Sequence, residues 1–214
     1  MTYTNDIIAR IHRLKSASFG SVHITGTYKR SQFRLMLLTQ ESVDNDHIVR
    51  LLARWRKKHE VWFPALFPVS GERTRSWLQK RVMDEQDRLL FMLQIHGTYI
   101  GHVGLYRFDF ARRSCEIDNI VRGVAGYPGI MQSAIICMMV WGNKALDLNS
   151  YTLQTTSDNK RALTLYKKLG FVETKRVSLV YNKTTDGGAW EAASPGYKGS
   201  IRRYDVYMKQ SYEA

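Results

Sequence analysis

The stretch that decides the fold runs from residue 122 to residue 171. It opens with Arg122-Gly-Val-Ala-Gly-Tyr-Pro-Gly-Ile-Met131 and closes with Ser157-Asp-Asn-Lys-Arg-Ala-Leu-Thr-Leu-Tyr-Lys-Lys-Leu-Gly-Phe171. The first run predicts a strand end and a glycine loop that leads into an apolar helix, and the second predicts a short helix that ends at Gly170. Because main-chain N–H groups at a helix N-terminus bind anions, we expect a phosphate site at the first run.

The closing helix is predicted to have one inner face. Its apolar residues recur at the helical positions i, i+3, i+4 and i+7: Ala162, Leu165, Tyr166 and Leu169. Ser157 is the predicted N-cap, which places Asn159 in the first turn, free to contact a neighbour. Tyr166 then points inward, toward whatever the helix covers. A phosphate site followed by a placed phenol suggests an enzyme that handles a phosphorylated cofactor.

The pattern Asn159-x-x-Ala162-x-x-Leu165-Tyr166-x-x-x-Gly170-Phe171 resembles the second signature of the GNAT superfamily of acyl-CoA N-acetyltransferases. The resemblance covers roughly residues 33–180, and it implies an α/β (α+β) fold with a mixed, mainly antiparallel sheet flanked by helices. It also implies acetyl-CoA as co-substrate, with Asn159 in contact with it. In this family the tyrosine at the position of Tyr166 commonly protonates the departing CoA thiolate.

The glycine loop fits the first signature of that family less closely. When Gly129 takes the first glycine position, Gly126 replaces the usual Arg or Gln and Met131 replaces the last small residue. Main-chain amides can still hold the CoA pyrophosphate, whereas a side-chain contact from Arg122 stays open. The predicted cofactor-binding residues are Ile120, Val121, Arg122, Gly126, Tyr127, Pro128, Gly129, Ile130, Met131, Asn159 and Ala162.

Residues 114–121 predict a central strand that carries two carboxylates. Alternation predicts two faces, namely Glu116, Asp118 and Ile120 on one, and Cys115, Ile117, Asn119 and Val121 on the other. Acetyl transfer to an amine needs a base that removes a proton, and burial raises the pKa of a carboxylate toward the working pH. We expect Glu116 to be this base, as the GNAT resemblance also implies, with Asp118 as reserve or as the group that holds the acceptor. The alternative is a salt bridge to Arg107 or Arg112 without a catalytic role.

Two segments are predicted to be loops near the acceptor pocket. Residues 61–68 read Val-Trp-Phe-Pro-Ala-Leu-Phe-Pro, and their two prolines favour an irregular loop. This aromatic loop either forms a wall of the acceptor site or fills the core. Residues 184–199 predict a long loop over the same pocket. The predicted substrate-binding residues are Trp62, Phe63 and Arg107.

Composition narrows the class of protein. The net charge of +13 attracts anions, but the charges are dispersed and no nucleic-acid motif is present, which favours a polyanionic cofactor and solubility as the explanation. Two cysteines give no disulfide framework and suit a reducing cytoplasm, and no His or Cys spacing predicts a metal site. The polar N-terminus does not resemble a signal peptide, and the longest apolar run, residues 130–141, is too short to cross a membrane.

The first part of the chain lies outside the resemblance. We therefore divide the sequence into an N-terminal extension, residues 1–32, and a GNAT-like domain, residues 33–210. The extension begins with an amphipathic helix up to Lys15. It either packs on the domain or makes a dimer contact, so a homodimer is one possibility.

The resemblance implies transfer of acetyl from acetyl-CoA to a primary amine. The combination of Gly101-His-Val-Gly104, Glu116-Ile-Asp-Asn119 and Pro128-Gly-Ile-Met131 looks most like family members that act on amino-sugar nucleotides, which predicts a small-molecule acceptor. One alternative is a protein N-terminal acetyltransferase that resembles the ribosomal-protein modifiers. The other is a CoA- or nucleic-acid-binding module that has kept the fold without the chemistry.

Overall fold

Apolar strands and amphipathic helices of the chain assemble into one sheet covered by helices on both faces. The computed structural model describes residues 3–211. The helices are α1 (Tyr3–Lys15), α2 (Asp46–Lys58), α3 (Gly71–Leu78), α4 (Ile130–Leu146) and α5 (Lys160–Lys168). The strands are β1 (His23–Tyr28), β2 (Ser31–Leu37), β3 (Ala65–Leu66), β4 (Arg88–Ile95), β5 (Thr98–Asp109), β6 (Ser114–Arg122), β7 (Ser150–Thr156), β8 (Val172–Thr184), β9 (Gly187–Ala192) and β10 (Arg203–Ser211).

The strand order is β1-β2-β4-β5-β6-β7-β10-β8-β9-β3. Within the described chain every strand pair is antiparallel except β6 with β7, which is parallel. The predicted mixed, mainly antiparallel sheet flanked by helices is therefore confirmed. The parallel pair is also short, because it ends at Glu116 opposite Thr152. Beyond this point the two strands separate and leave an opening in the middle of the sheet.

Each face of the sheet has its own hydrophobic core. On one face α4 packs on the sheet and contributes Ile130, Ala134, Ile135 and Met138, none of which is exposed. On the other face α2 buries an apolar stripe that is at most 7% exposed: Ile48, Leu51, Leu52 and Trp55. Burial of a large apolar side chain contributes about 1.5–3 kcal/mol, so these two stripes fix the helices against the sheet.

The first residues of the chain join the same sheet and the same core. Ile7 and Ile11 of α1 are buried in the core on the α4 face, and β1 pairs along its whole length with β2. The hydroxyl of Tyr28, the last residue of β1, donates a hydrogen bond to the main-chain oxygen of Pro128 at 2.7 Å. The division of the chain at residue 33 stays a prediction, but its N-terminal part contacts the glycine loop directly.

The predicted alternation along β6 is wrong after Asp118. Asn119 has a left-handed backbone conformation, with φ of 49°, and the register with β5 shifts at this point. This β-bulge inserts one extra residue, which exchanges the faces of the residues that follow. Ile120 therefore packs on the α4 side, and Val121 joins the core under α2.

The predicted loop at residues 184–199 is also wrong in its first half. Strand β8 continues to Thr184, and β9 pairs with β8 on one side and with the two-residue strand β3 on the other. Gly187 permits this arrangement, because a Cβ atom there would lie 1.9 Å from the main-chain oxygen of Leu66. The glycines that suggested a loop thus allow strands to approach closely.

Among residues 3–211, no helix has both the length and the apolar character needed to cross a bilayer.

Candidate active site

The opening between β6 and β7 leads into a cavity of about 780 Å³. Most of the residues predicted for the site line this cavity: Trp62, Phe63, Arg107, Glu116, Asp118, Ile120, Val121, Arg122, Tyr127, Gly129, Met131, Asn159, Ala162 and Tyr166. Gly126, Pro128 and Ile130 belong to the same loop and helix start but do not line the cavity. Residues far apart in sequence are therefore brought to one place by the separation of the two strands.

The glycine loop ends one side of this cavity at the N-terminus of α4. Gly129 is the N-cap with φ of 85°, and Gly126 has φ of 97°, so both positions favour glycine. In the described chain the amides of Gly126, Tyr127, Gly129 and Met131 donate to no main-chain acceptor. Free amides at the positive end of a helix dipole suit a bound anion.

Two arginines lie beside this loop and increase its positive charge. Arg122, at the end of β6, and Arg161, in the first turn of α5, both line the cavity. Burial lowers the pKa of Arg122, and the nearby charge of Arg161 lowers it further. The two positive charges of Arg122 and Arg161, together with the free amides of the glycine loop, match the negative charge of the CoA pyrophosphate. These are the residues that would hold it.

Asn159 occupies a different position from the one predicted. It is the N-cap of α5, and its Oδ1 accepts a hydrogen bond from the amide of Ala162 at 3.2 Å. Ser157 is not the cap, because its hydroxyl accepts from the amide of Tyr204 on β10 at 3.1 Å. The hydrogen bond from Tyr204 therefore overrides the local capping preference of Ser157. Because Oδ1 of Asn159 already caps the helix, a contact of Asn159 with a cofactor would use its side-chain nitrogen Nδ2.

Tyr166 lies on the inner face of α5, as predicted. Its side chain is 5% exposed and lines the cavity, and its ring packs at 6.4 Å from that of Phe171. Burial raises the pKa of Tyr166, so the phenol keeps its proton at neutral pH. Within residues 3–211 no protein group hydrogen-bonds its hydroxyl, which leaves the proton available to a bound molecule.

Glu116 forms an ion pair whose partner can leave. Its carboxylate contacts the Arg107 guanidinium at 3.1 Å, and the Glu116 side chain is 12% exposed whereas that of Arg107 is 58% exposed. Burial raises the pKa of Glu116, and the charge of Arg107 opposes this effect. Arg112, the other predicted partner, binds Asp109 instead. The salt bridge predicted as the alternative to catalysis is therefore present, but its cation faces solvent.

Asp118 forms a more deeply buried pair that sequence reasoning missed. Its carboxylate binds the Arg88 guanidinium, both side chains are at most 12% exposed, and Arg88 also stacks at 3.6 Å on the Tyr106 ring. The side-chain amide of Asn119 donates to the same carboxylate at 2.7 Å. Burial raises the pKa of Asp118 and Arg88 lowers it. Gly104 leaves room for this carboxylate, because a Cβ atom there would lie 2.6 Å from its Oδ1.

A buried histidine completes the lining near the bulge. His102 is 4% exposed and packs beside the Trp55 ring, and burial lowers its pKa to about 4. The imidazole is therefore neutral at neutral pH, and its Nδ1 has no hydrogen-bond partner in the described chain. Its place between Gly101 and Gly104 was the only sequence signal. Among residues 3–211 no cluster of His, Cys, Asp or Glu could hold a metal ion.

The ion pairs Arg88–Asp118 and Arg107–Glu116 should contribute very differently to the free energy of unfolding. Arg88→Met leaves Asp118 buried without its cation, so we expect the free energy of unfolding to fall by about 3–5 kcal/mol. Arg107→Met also leaves a largely buried carboxylate, but the lost cation is mostly exposed and water can replace it, so the loss should be clearly smaller, about 1 kcal/mol. Urea unfolding at neutral pH measures both values.

The loss in Arg88→Met should also shrink as the pH falls. Without Arg88 the pKa of Asp118 rises further in the folded state, so protonation at lower pH removes the unpaired charge. Equal losses for the two variants, or a loss in Arg88→Met that does not change with pH, would contradict the buried pair.

Comparison with known proteins agrees with this geometry. The sequence profile of the acetyltransferase (GNAT) domain family matches residues 34–172, which is more than half of the chain. Among curated protein sequences none is significantly similar to this one.

Solved structures resemble the fold at low sequence identity. The apo form of RimL, a ribosomal L7/L12 alpha-N-protein acetyltransferase, has a TM-score of 0.63 at 12% identity, over 89% of this chain and 95% of its own. RimL in complex with coenzyme A has a TM-score of 0.60 at 11% identity, over 87% and 97%. The dodecameric spermidine N-acetyltransferase from Vibrio cholerae has a TM-score of 0.55 at 17% identity, over 78% and 90%.

The sheet, the glycine loop at α4 and the family match lead to one conclusion. The chain belongs to the GNAT acetyltransferase family.

Proposed function

We propose that the protein transfers acetyl from acetyl-CoA directly to the primary amine of a small molecule. The observation that carries this proposal is that one cavity joins the free amides of the glycine loop to Glu116 and Tyr166. A site for a polyanionic cofactor and two groups able to move protons then share the same space. Acetyl-CoA supplies the activated thioester.

Glu116 is the proposed base. An ammonium ion cannot attack a thioester, so the acceptor must lose a proton, either directly to Glu116 or through a water molecule. The pKa of Glu116 is raised, so it lies closer to the pKa of the acceptor ammonium than the pKa of an ordinary glutamate does. Arg107, which is largely exposed, can move away when the acceptor enters.

Asp118 is better suited to a positioning role than to that of the base. Its cation Arg88 is buried, bonded also to the main-chain oxygen of Arg81 at 2.8 Å, and stacked on Tyr106. A carboxylate held in this way gives up its partner only at a high energetic cost. Asp118 instead fixes the side chain of Asn119 at the bulge of β6.

Tyr166 is the proposed acid. Burial raises its pKa, so the phenol holds its proton in the resting site and gives it up only as negative charge develops on the sulfur of the breaking C–S bond. The phenol then donates its proton to the thiolate sulfur. Among residues 3–211 no charged group contributes to the pKa shift of Tyr166, so the phenolate is not stabilised and regains a proton from water.

Of the small amines, an amino-sugar nucleotide is the acceptor that the sequence resemblance implies. The RimL and spermidine enzymes share the fold and differ in acceptor, so the fold does not choose between them. A cytoplasmic location and a homodimer remain predictions.

Binding of acetyl-CoA tests the cofactor site. Because a ligand that binds only the folded state stabilises it, acetyl-CoA at about 100 times its Kd should add about 2.7 kcal/mol to the stability. Thermal unfolding with and without acetyl-CoA measures this shift. A screen of sugar nucleotides, polyamines and peptides for CoA release then identifies the acceptor class. Absence of a shift contradicts the site, and a shift without transfer to any amine favours a binding module.

Glu116→Gln should lower turnover by about two orders of magnitude or more, because the amide cannot accept the proton. In the wild type, kcat/KM should rise with pH through a pKa above that of an ordinary glutamate, since the base must be ionised. The variant should lose this acidic limb. Rates measured from pH 5 to 9 check both points, and unchanged turnover in a folded Glu116→Gln protein would reject the role.

Tyr166→Phe keeps the packed ring and removes the proton donor. We expect kcat to fall by about a hundredfold, with little change in the affinity for acetyl-CoA. Leu165→Met, at the neighbouring position of the same helix, is the matched packing control and should retain most of the activity. Full activity in Tyr166→Phe would eliminate Tyr166 as the acid.

A further inference from the structure

The half of the cavity opposite the glycine loop has a distinct chemical character. Its walls come from the end of α2, from residues 61–67 and from α3, and they combine arginines with aromatic rings. The aromatic residues that line this half include Trp62, Phe63, Phe67, Trp77 and Tyr106. An acceptor bound in this half of the cavity would contact these groups, so their charges bear on which acceptor fits.

Most arginines of this half are paired with carboxylates. Arg88 binds Asp118, and Arg107 binds Glu116. Arg73 lies 3.7 Å from Asp186, and Arg81 lies 2.8 Å from Glu85. The charges of these four cations are therefore compensated by carboxylates of the protein, although Nε of Arg88 is buried without an acceptor.

Arg56, in the last turn of α2, is different. Its guanidinium stacks on the rings of Phe63 at 4.0 Å and Phe67 at 4.9 Å, and its Nη2 donates to the main-chain oxygen of Ala65. In the described chain it has no carboxylate within salt-bridge distance, and its Nη1 is buried without any acceptor. Burial also lowers the pKa of Arg56, with only the more distant Glu60 acting in the opposite direction.

An arrangement of this kind is costly unless a ligand completes it. A buried donor without an acceptor lowers stability, more so when the group is charged. The two rings and the bond to Ala65 hold the guanidinium in place. Because Nη1 is covered, an anion reaches it only when residues 63–67 shift, but the arginine side chain is then already ordered. Guanidinium groups bind phosphate and carboxylate through paired N–H donors. A polycation would instead meet an uncompensated positive charge.

We propose that Arg56 binds an anionic group of the acceptor, so the acceptor is an amine that also carries a phosphate or a carboxylate. This inference rests on the proposed acetyl transfer and names the acceptor class of the same site. The amine reaches Glu116 while the anion is held by Arg56 between its two aromatic rings. Polyamines are then poor acceptors, although the fold is shared with a spermidine acetyltransferase.

Four simple amines test the preference. Phosphoethanolamine carries a phosphate, β-alanine a carboxylate, ethanolamine no charge besides the amine, and spermidine additional positive charges. We expect kcat/KM for at least one anionic probe to exceed that for ethanolamine by about tenfold or more, the effect of one charged hydrogen bond. The two anionic probes distinguish phosphate from carboxylate. A preference for spermidine or ethanolamine would overturn the inference while leaving acetyl transfer established.

Variants assign the preference to Arg56. In Arg56→Gln the ratio of kcat/KM for the preferred anionic probe to that for ethanolamine should fall by about tenfold. Arg56→Lys keeps the positive charge but loses the paired donors, so its ratio of kcat/KM values should lie between those of the wild type and Arg56→Gln. Arg54→Gln is the matched control, because Arg54 is an exposed arginine of the same helix that does not line the cavity. An equal effect of the Arg54 and Arg56 substitutions would refute the assignment.

A binding measurement decides the inference even when no probe is acetylated. With saturating CoA present to fill the pyrophosphate site, phosphoethanolamine and β-alanine are titrated while tryptophan fluorescence is followed, since Trp62 and Trp77 line the same cavity. Saturable binding of at least one probe is expected for the wild type and Arg54→Gln, and loss of it for Arg56→Gln. No binding by the folded wild type contradicts the inference. Absence of transfer to any amine contradicts the proposed function instead.

Discussion

The short parallel pairing of β6 with β7 is the constraint on which the rest of the structure depends. The two strands pair only from Ser114 to Glu116, although β6 continues to Arg122 and β7 to Thr156. An opening in the centre of a sheet would normally expose the core. Here the hydrophobic clusters lie on either side of it, so the opening becomes a lined cavity with charged groups at its walls.

Within that cavity, burial and pairing give different properties to similar groups. Glu116 and Asp118 are two residues apart on one strand, yet Glu116 is paired with an exposed arginine and Asp118 with a buried one. Tyr166 and His102 are both buried, and burial keeps the phenol protonated and the imidazole neutral. Chemistry that moves a proton onto one group and off another needs such contrasts. The sheet creates them by placing each residue at a different depth.

Local patterns predicted which residues share a helix face, whereas contacts between residues distant in sequence were not predicted. The inner stripe of α5, with Tyr166 in it, follows from helical spacing alone, and Gly170 ends this helix with φ of 84° as its position predicted. The faces of Ile120 and Val121 were wrong because the bulge at Asn119 depends on the register with β5. Arg88 and Arg56 were missed because their importance comes from Asp118 and from the aromatic rings of the next segment, which no period in the sequence reveals.

The hydrogen bond from Tyr28 to Pro128 links the edge of the sheet to the loop at the start of α4. A loop rich in glycine has many conformations in solution, and an anchor outside the loop removes part of that freedom before any ligand arrives. The first strand would therefore contribute to the affinity for a ligand held by this loop without touching that ligand. Evolution of the N-terminal segment and of the loop should consequently be coupled, although about a hundred residues separate them in the chain.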